Sequence, residues 1–412
     1  MTPAEAARAM LARCAPLPPE RRPLRDALDL VLAEDVTSPI DLPPWDNSAM
    51  DGYATRSADL SGGGPVELEI IETVAAGAQP TKPLGPGQAT RIFTGAPLPA
   101  GADGVIRQED TDLRPPARVA IRNPRDAGRN VRRRAEDIRR GATVLVAGTP
   151  LGPAQLGVLA SIALGEPLVH RRPRVAFLGS GDEIVDLDRA PEILAGHKIA
   201  TSNSYTLHGM IRRAGAEPVE LGIARDTRDS LREHLGRAAG ADLLVTTAGV
   251  SVGEHDLVRQ VVQELGGTLE LWRIAMRPGA PVGFGVLHGR PWLGLPGNPV
   301  SAMVTFELFA RPMIRRLLGH ALPFRRTVAV TVEDPITLGP PLRHFLRVIV
   351  EAGEGGGLVA RLTGPQGSGI LTGMARANAL LIVPADLPAV ARGTTLPALM
   401  LDDPRHVAEP PY

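Results

Sequence analysis

The sequence is nearly devoid of cysteine. Cys14 stands alone among 412 residues, which excludes a disulfide framework and a cysteine-based zinc site. Aromatic residues make up only 3%, leaving few platforms on which bases could stack. Net charge is absent too: 45 basic residues face 45 acidic ones. That balance argues against bulk attraction to nucleic acid or membrane, and neither is expected as a partner. Lysine is scarce, since all but Lys82 and Lys198 of the basic residues are arginine. No apolar run approaches the ~18 residues of a membrane span. The opening MTPAEAARAMLARC lacks the charged-then-apolar layout of a secretory signal. A cytoplasmic location is the expectation that follows.

What remains is a chain with ordinary hydrophobic content, 43%, and too long for one compact core. Residues 3–14 and 24–33 read as short helices, the second from the spacing of Leu24, Leu28, Val31 and Leu32. Residues 53–133 are rich in glycine and proline with short β-branched runs, the pattern of a small β domain. From Arg174 the pattern changes to strands alternating with helices. Strands are expected at 174–179, 218–224, 243–247, 269–275, 282–286 and 292–295. Helices are expected at 203–214, 227–238, 256–265 and 299–318. Such alternation predicts a mostly parallel, doubly wound α/β sheet. After Leu322 the pattern is β again, with strict alternation at 327–332 and a hairpin turn at 354–357. The fold class is therefore α/β plus β, in several domains.

In open α/β sheets, ligands bind beyond the carboxyl ends of the strands. Here those ends run into Ser180-Gly181-Asp182-Glu183, Arg225-Asp226, the glycine-rich segment 248–256 and Pro296-Gly297-Asn298-Pro299. Glycine-rich turns feeding helices present amide hydrogens to a phosphate or another oxyanion. Asp182, Glu183, Asp226 and Asp256 offer hard oxygen ligands that suit Mg2+. Carboxylates alone would repel a phosphorylated ligand, so the residues point to a phosphorylated small molecule handled with a divalent cation. Each piece also has a plainer reading. Asp226 could cap the helix that follows, Gly249 and Gly253 could be turn residues, and Asp182-Glu183 could be a solvated loop. The arginine run at 132–140 reads as a solvated face or as an anion site.

Seven segments, taken together, resemble the molybdopterin molybdenumtransferase family, the MoeA and gephyrin E-domain type. They are DNSAMDGYA at 46–54, TGAPLPAGAD at 94–103, RRRAEDI at 132–138, SGDE at 180–183, GVSVGEHD at 249–256, LPGNPVSA at 295–302 and GSGILTGMARANAL at 367–380. They occur in family order along nearly the whole chain. The resemblance implies a discontinuous helical linker domain (1–51 and 134–172), a small β domain (52–133), an α/β molybdopterin-binding domain (173–321) and a C-terminal β-barrel domain (322–412). It implies Mg2+-dependent transfer of molybdenum from molybdate to adenylylated molybdopterin with release of AMP.

The resemblance also implies a homodimer whose subunits share each site. Asp51, Thr94, Asp137 and Glu183 would be catalytic. Gly249, Ser251, Gly253, Arg277, Pro296, Asn298 and Pro299 would bind substrate, and Asp226 and Asp256 would hold the metal. A molybdopterin adenylyltransferase and recipient molybdoenzymes are implied as partners. Alternatives are adenylylation of molybdopterin itself, whose enzymes share the α/β module, or a non-catalytic scaffold binding pterin or peptide. The chain departs from the family pattern at Ala280, where a lysine is usual, and at Ala135 and Ala248, where glycine is usual. Thr201 stands where an aspartate is often found.

Overall fold

The computed structural model describes residues 1–62, 65–114, 117–247, 257–339, 341–353 and 356–401. Its centre is the six-stranded α/β sheet. The strands are β1 (Arg174–Ser180), β2 (Glu217–Ala224), β3 (Leu243–Thr247), β4 (Thr268–Arg273), β5 (Pro281–Leu287) and β6 (Arg290–Leu295). They lie in the order β2-β1-β3-β6-β5-β4. The first four neighbours are parallel, while β5 runs antiparallel to both of its partners.

The apolar runs alternate between two cores. Val175, Phe177, Leu243, Val245 and Leu293 face one side, toward helix α1 (Ser202–Arg213) and the last helix of the domain. Ala176, Leu178, Leu244 and Trp292 face the other, toward α2 (Arg228–Gly236) and α3 (Leu257–Glu264). Helices cover both faces, so strands must be apolar on both, as β1 and β3 are.

The last helix is not the single element its sequence suggests. It runs as α4 (Pro299–Thr305), a π turn (Phe306–Ala310) and α5 (Arg311–Leu317). Pro312 has no amide hydrogen for the carbonyl four residues earlier, and the wider π turn accommodates that gap.

The N-terminal helix spans Pro3–Leu11, shorter than residues 3–14. It is closed by a capping box: the Thr2 amide donates to Glu5 Oε2 at 2.7 Å, and the Glu5 amide donates to Thr2 Oγ1 at 3.3 Å. Ala6 and Met10 pack into the same core as Met313 and Leu317, and the Leu17 amide donates to the Leu317 carbonyl at 2.8 Å.

The expected helix at 24–33 does not form. A 3-10 turn occupies Leu24–Asp26, Asp29 adopts φ +63°, and Val31–Leu32 is a strand paired with Leu168–His170. That small sheet, together with the pairing of Thr143–Leu145 with Val36–Thr37, joins the two halves of the linker domain. Among the described residues, the one α-helix contributing to its core of Leu30, Leu32, Leu151, Leu159 and Val169 is Pro153–Ser161, so that core is built mostly from strands and turns.

Residues 52–121 form a six-stranded sheet in which Gly52–Thr55 lies between Gly104–Arg107 and Gln88–Ile92. The C-terminal region closes into a barrel of five strands, Arg343–Ala352, Leu358–Leu362, Thr327–Val332, Thr395–Met400 and Ala379–Val383. Residues 354–355 of the expected hairpin turn lie outside the described residues, but the strands around it pair antiparallel. Met276–Arg277, from the α/β domain, adds itself beside Arg343–His344. Among the described residues, no helix is long and apolar enough to cross a membrane.

Candidate active site

Three segments meet at the carboxyl ends of the α/β strands. After β1, Gly181 takes φ +144°, and a side chain there would come within 2.7 Å of Glu183 Oε2. Glycine thus lets the exposed Glu183 carboxylate fold back over the turn. After β2, the Asp226 amide donates to Asp182 Oδ1 at 3.3 Å. Partial burial and then the nearby Asp182 and Glu183 charges push the Asp226 carboxyl above the ordinary range. Thr227, not Asp226, caps α2, its hydroxyl accepting from the Ser230 amide. The capping alternative for Asp226 therefore fails, which leaves its carboxylate available to a ligand.

Beyond β6, Pro296 is buried, Gly297 and Asn298 are exposed, and Pro299 opens α4. Asn203 on α1 donates from Nδ2 to the Gly297 carbonyl at 2.7 Å, while its buried Oδ1 has no partner. The Val300 amide donates to the Ser368 carbonyl at 3.1 Å, which brings the 367–380 segment of the barrel onto this loop. Gly249, Ser251, Gly253 and Asp256 lie outside the described residues. Among the described residues, no group of three or more His, Cys, Asp or Glu is arranged to hold a metal.

Arg277 sits on the barrel side of this rim. The Arg277–Pro278 peptide is cis. Gly279 has φ +93°, and a side chain on it would strike Thr305 Cγ2 at 2.4 Å. The exposed Arg277 lines a cavity of about 550 Å3 with Pro278, His344, Arg347 and Gln366. Arg347 is 1% exposed. It donates to the Gly367 and Pro365 carbonyls at 3.0 and 2.8 Å, while its Nε is buried without a partner. A guanidinium buried this deeply against neutral carbonyls carries a charge that no acidic group in these contacts offsets. Sequence reasoning missed it. In RHFLRVIV it looks like one outward-facing residue of a strand, and only the contact with 365–367 reveals otherwise.

On the small β domain, Asp51 and Thr94 come together across 43 residues of chain. The Thr94 amide and hydroxyl both donate to Asp51 Oδ1 at 2.8 Å. Those bonds, with the Arg91 charge, hold the exposed Asp51 carboxyl below the ordinary range.

Asp137 lies apart from this pair. It is exposed in an open cleft of about 740 Å3 lined by Arg133, Arg134, Glu136 and Arg139. Two arginines of this run are already engaged within the chain. Arg133 donates to Asp46 at 2.8 Å, and Arg134 donates from Nε to Asp41 at 2.7 Å. The first ties the 132–138 segment to the 46–54 segment, and the second ties it to the turn at Asp41. Among the described residues, no hydrogen bond or ion pair joins Asp51, Thr94 or Asp137 to the α/β rim.

Family profiles cover most of the chain. The "MoeA N-terminal region (domain I and II)" matches residues 1–163, the "Probable molybdopterin binding domain" residues 176–316, and the "MoeA C-terminal region (domain IV)" residues 329–401. Molybdopterin molybdenumtransferase 2 of Mycobacterium tuberculosis is 38% identical over 396 residues, covering 94% of this chain and 95% of its own. Molybdopterin molybdenumtransferase of Nostoc sp. is 37% identical over 379 residues, covering 90% and 86%. This chain belongs to the molybdopterin molybdenumtransferase family. The fold agrees: the crystal structure of the molybdopterin biosynthesis MoeA protein of Pyrococcus horikoshii superposes with TM-score 0.82 at 28% identity. It covers 97% of this chain and 99% of that one.

Two departures from the family pattern gain a physical meaning. Ala135 adopts φ +58°, a conformation glycine takes freely and alanine pays for. Ala280 follows the tightly packed Gly279, its carbonyl accepting from the Ile274 amide at 2.9 Å. A longer side chain at 280 would start beside Arg277. Thr201 is buried and shares a hydrogen bond with Ser204 at 2.8 Å.

Proposed function

We propose that this chain is a transferase that inserts molybdenum from molybdate into adenylylated molybdopterin, releasing AMP, and that it needs Mg2+ to do so. The observation that carries this reading is the divided character of the rim. On one side, partial burial and then the neighbouring Asp182 and Glu183 charges hold the Asp226 carboxyl above its ordinary range. On the other, Arg277 and the buried Arg347 face a cavity. The first side calls for a cation and the second for an oxyanion, which a pyrophosphate linkage and molybdate would supply together.

The donor chemistry fits Mg2+: hard carboxylate oxygens, with Asp226 and Asp256 as the residues that would hold it. When bound, the ion would neutralise charge on the phosphate linkage. Arg277 and Arg347 would attract and orient the incoming oxyanion. The Pro296–Pro299 loop, pinned by Asn203, would let the pterin approach backbone. Gly249, Ser251 and Gly253 would cradle its phosphate. Asp51, Thr94 and Asp137 would close the site from a second subunit, making a homodimer the working form. A molybdopterin adenylyltransferase would supply the substrate, and molybdoenzymes in the cytoplasm would receive the product.

Incubation of the protein with adenylylated molybdopterin, molybdate and Mg2+ tests the reading. Molybdate-dependent AMP release is expected. Consumption of ATP with free molybdopterin would instead make the protein an adenylyltransferase, and neither reaction would leave a scaffold. A monomeric mass at micromolar concentration would remove the shared site.

A further inference from the structure

The Asp51–Thr94 pair is held by a residue that no part of the functional reading has used. Gly52–Thr55 pairs with Gln88–Ile92 so that Tyr53 stands opposite Arg91, and Gly52 opposite Ile92. Arg91 therefore shares a sheet face with Tyr53 and, two residues on, with Phe93. Its guanidinium carbon lies 4.9 Å from the Tyr53 ring centre and 5.0 Å from that of Phe93. A planar cation between two rings is fixed in orientation as well as place.

From that position Arg91 reaches across the middle strand. NH2 donates to Gln108 Oε1 at 2.6 Å, and NH1 donates to the Gly52 carbonyl at 3.4 Å. The Gln108 amide in turn donates to the Asp51 carbonyl at 3.1 Å. Gly52 packs so closely on the next strand that a side chain there would lie 2.0 Å from the Ile106 carbonyl oxygen. The Asp51 and Gly52 carbonyls are thus both tied to one guanidinium, the first through Gln108.

We propose that Arg91 is a positioning residue for the Asp51–Thr94 pair, locking the backbone around Asp51. The proposal rests on the reading that Asp51 and Thr94 act in molybdenum transfer. The groups packed around the carboxylate are few. Thr94 gives two neutral donors, Arg91 gives the charge, and the turn at Gln108–Asp110 gives the Gln108 amide. The other charges near that turn are committed elsewhere: Arg107 pairs with Asp126, and Asp110 pairs with Arg125. Glu109, on the same turn, is exposed.

Three variants of the full-length protein separate positioning from mere support. Arg91→Met keeps the stem and the ring contacts while removing the charge and both donors. It is expected to lower kcat for AMP release about tenfold, with KM within about twofold, because geometry rather than substrate affinity is lost. The acid limb of its kcat profile moves to higher pH, and the Asp51 carboxyl, followed by carbon NMR, titrates higher in step. Arg91→Lys restores the charge but not the planar fork, so the titration returns toward wild type while kcat stays low. Gln108→Leu removes the bond from Arg91 to the Gln108 side chain while keeping the Gln108 amide and the charge, so kcat falls with no movement of the titration.

An Arg91→Met protein that melts earlier but keeps the wild-type Asp51 titration and kcat would reduce Arg91 to a strand clamp and overturn the proposal. Wild-type kcat in Gln108→Leu would overturn the backbone lock. Full activity of Asp51→Asn would instead overturn the underlying assignment of Asp51, whatever Arg91 does.

Discussion

Asp51 on the small β domain and Asp226 on the α/β rim are both exposed aspartates beside loops, and they live under opposite conditions. Asp51 receives two hydrogen bonds from Thr94 and faces Arg91, so its charged form is favoured. Asp226 is partly desolvated and lies near two other carboxylates, so its charged form is disfavoured. One half of the candidate site is complete within the chain, while the other is left short of positive charge. If the chain gathers an anionic pterin, an oxyanion and a cation as proposed, it has reason to keep that imbalance. A rim neutralised internally would have no call on a metal.

The largest test of this contrast is Asp226→Asn. Removing the crowded charge should lower molybdate-dependent AMP release about 100-fold and raise the Mg2+ concentration needed for half-maximal rate. It should not lower the melting temperature at neutral pH. A carboxyl whose folded value is raised costs stability once pH exceeds that value, so its loss relieves the fold. A variant that melts early with unchanged Mg2+ dependence would make Asp226 an ordinary structural residue.

Adding charge on the other side is the next test. Ala280→Lys should speed AMP release about tenfold, equivalent to ~1.4 kcal/mol in the barrier, by placing an ammonium beside Arg277. A rate at or below wild type, with folding intact, would mean that Arg277 and Arg347 already satisfy the oxyanion.

Thr94→Val probes the complete half. It removes one of two donors to Asp51 and leaves the amide, so a loss of about fivefold in rate, the ~1 kcal/mol of one hydrogen bond, is expected. The Asp51 carboxyl should rise toward its ordinary value. The sign follows from the lowered folded value: Asp51 stabilises the fold at neutral pH, and that contribution disappears as pH falls through its own pKa. In Thr94→Val that contribution should be smaller and its loss complete at a higher pH, which a series of melting temperatures would reveal.

The smallest effect is expected at the segment that ties the regions together. Ala135→Gly should raise stability by about 0.5–1 kcal/mol, relief of the left-handed conformation slightly exceeding the entropy glycine adds to the unfolded chain. A lower urea midpoint for the variant would show that the alanine side chain earns more by packing than its backbone loses.

The α/β sheet was legible because its strands are continuous apolar runs closed by glycine-rich turns. Covering both faces leaves the sequence little alternative pattern. Residues 24–33 misled for the opposite reason. Leu24, Leu28, Val31 and Leu32 sit at helical spacing, but the left-handed backbone at Asp29 redirects Val31–Leu32 into a strand that needs Leu168–His170, 137 residues away, as its partner. Asp51, Thr94 and Asp226 could be singled out because they lie in dense polar segments. Arg347 and Arg91 could not, because each draws its meaning from distant neighbours: carbonyls at 365 and 367, and a pair of rings at 53 and 93.

The bond from Leu17 to Leu317 carries a consequence for how the protein is made. A ribosome working at ~5–20 residues per second needs roughly 15–60 s to travel from one to the other. For all that time the helix at Pro3–Leu11 has emerged without the surface that buries Ala6 and Met10. The two halves of the linker domain wait a little under half as long for each other, since Val31–Leu32 pairs with a strand at Leu168–His170. The small β domain, whose strands are all local, can close first. The first residues synthesised are therefore among the last to find their place.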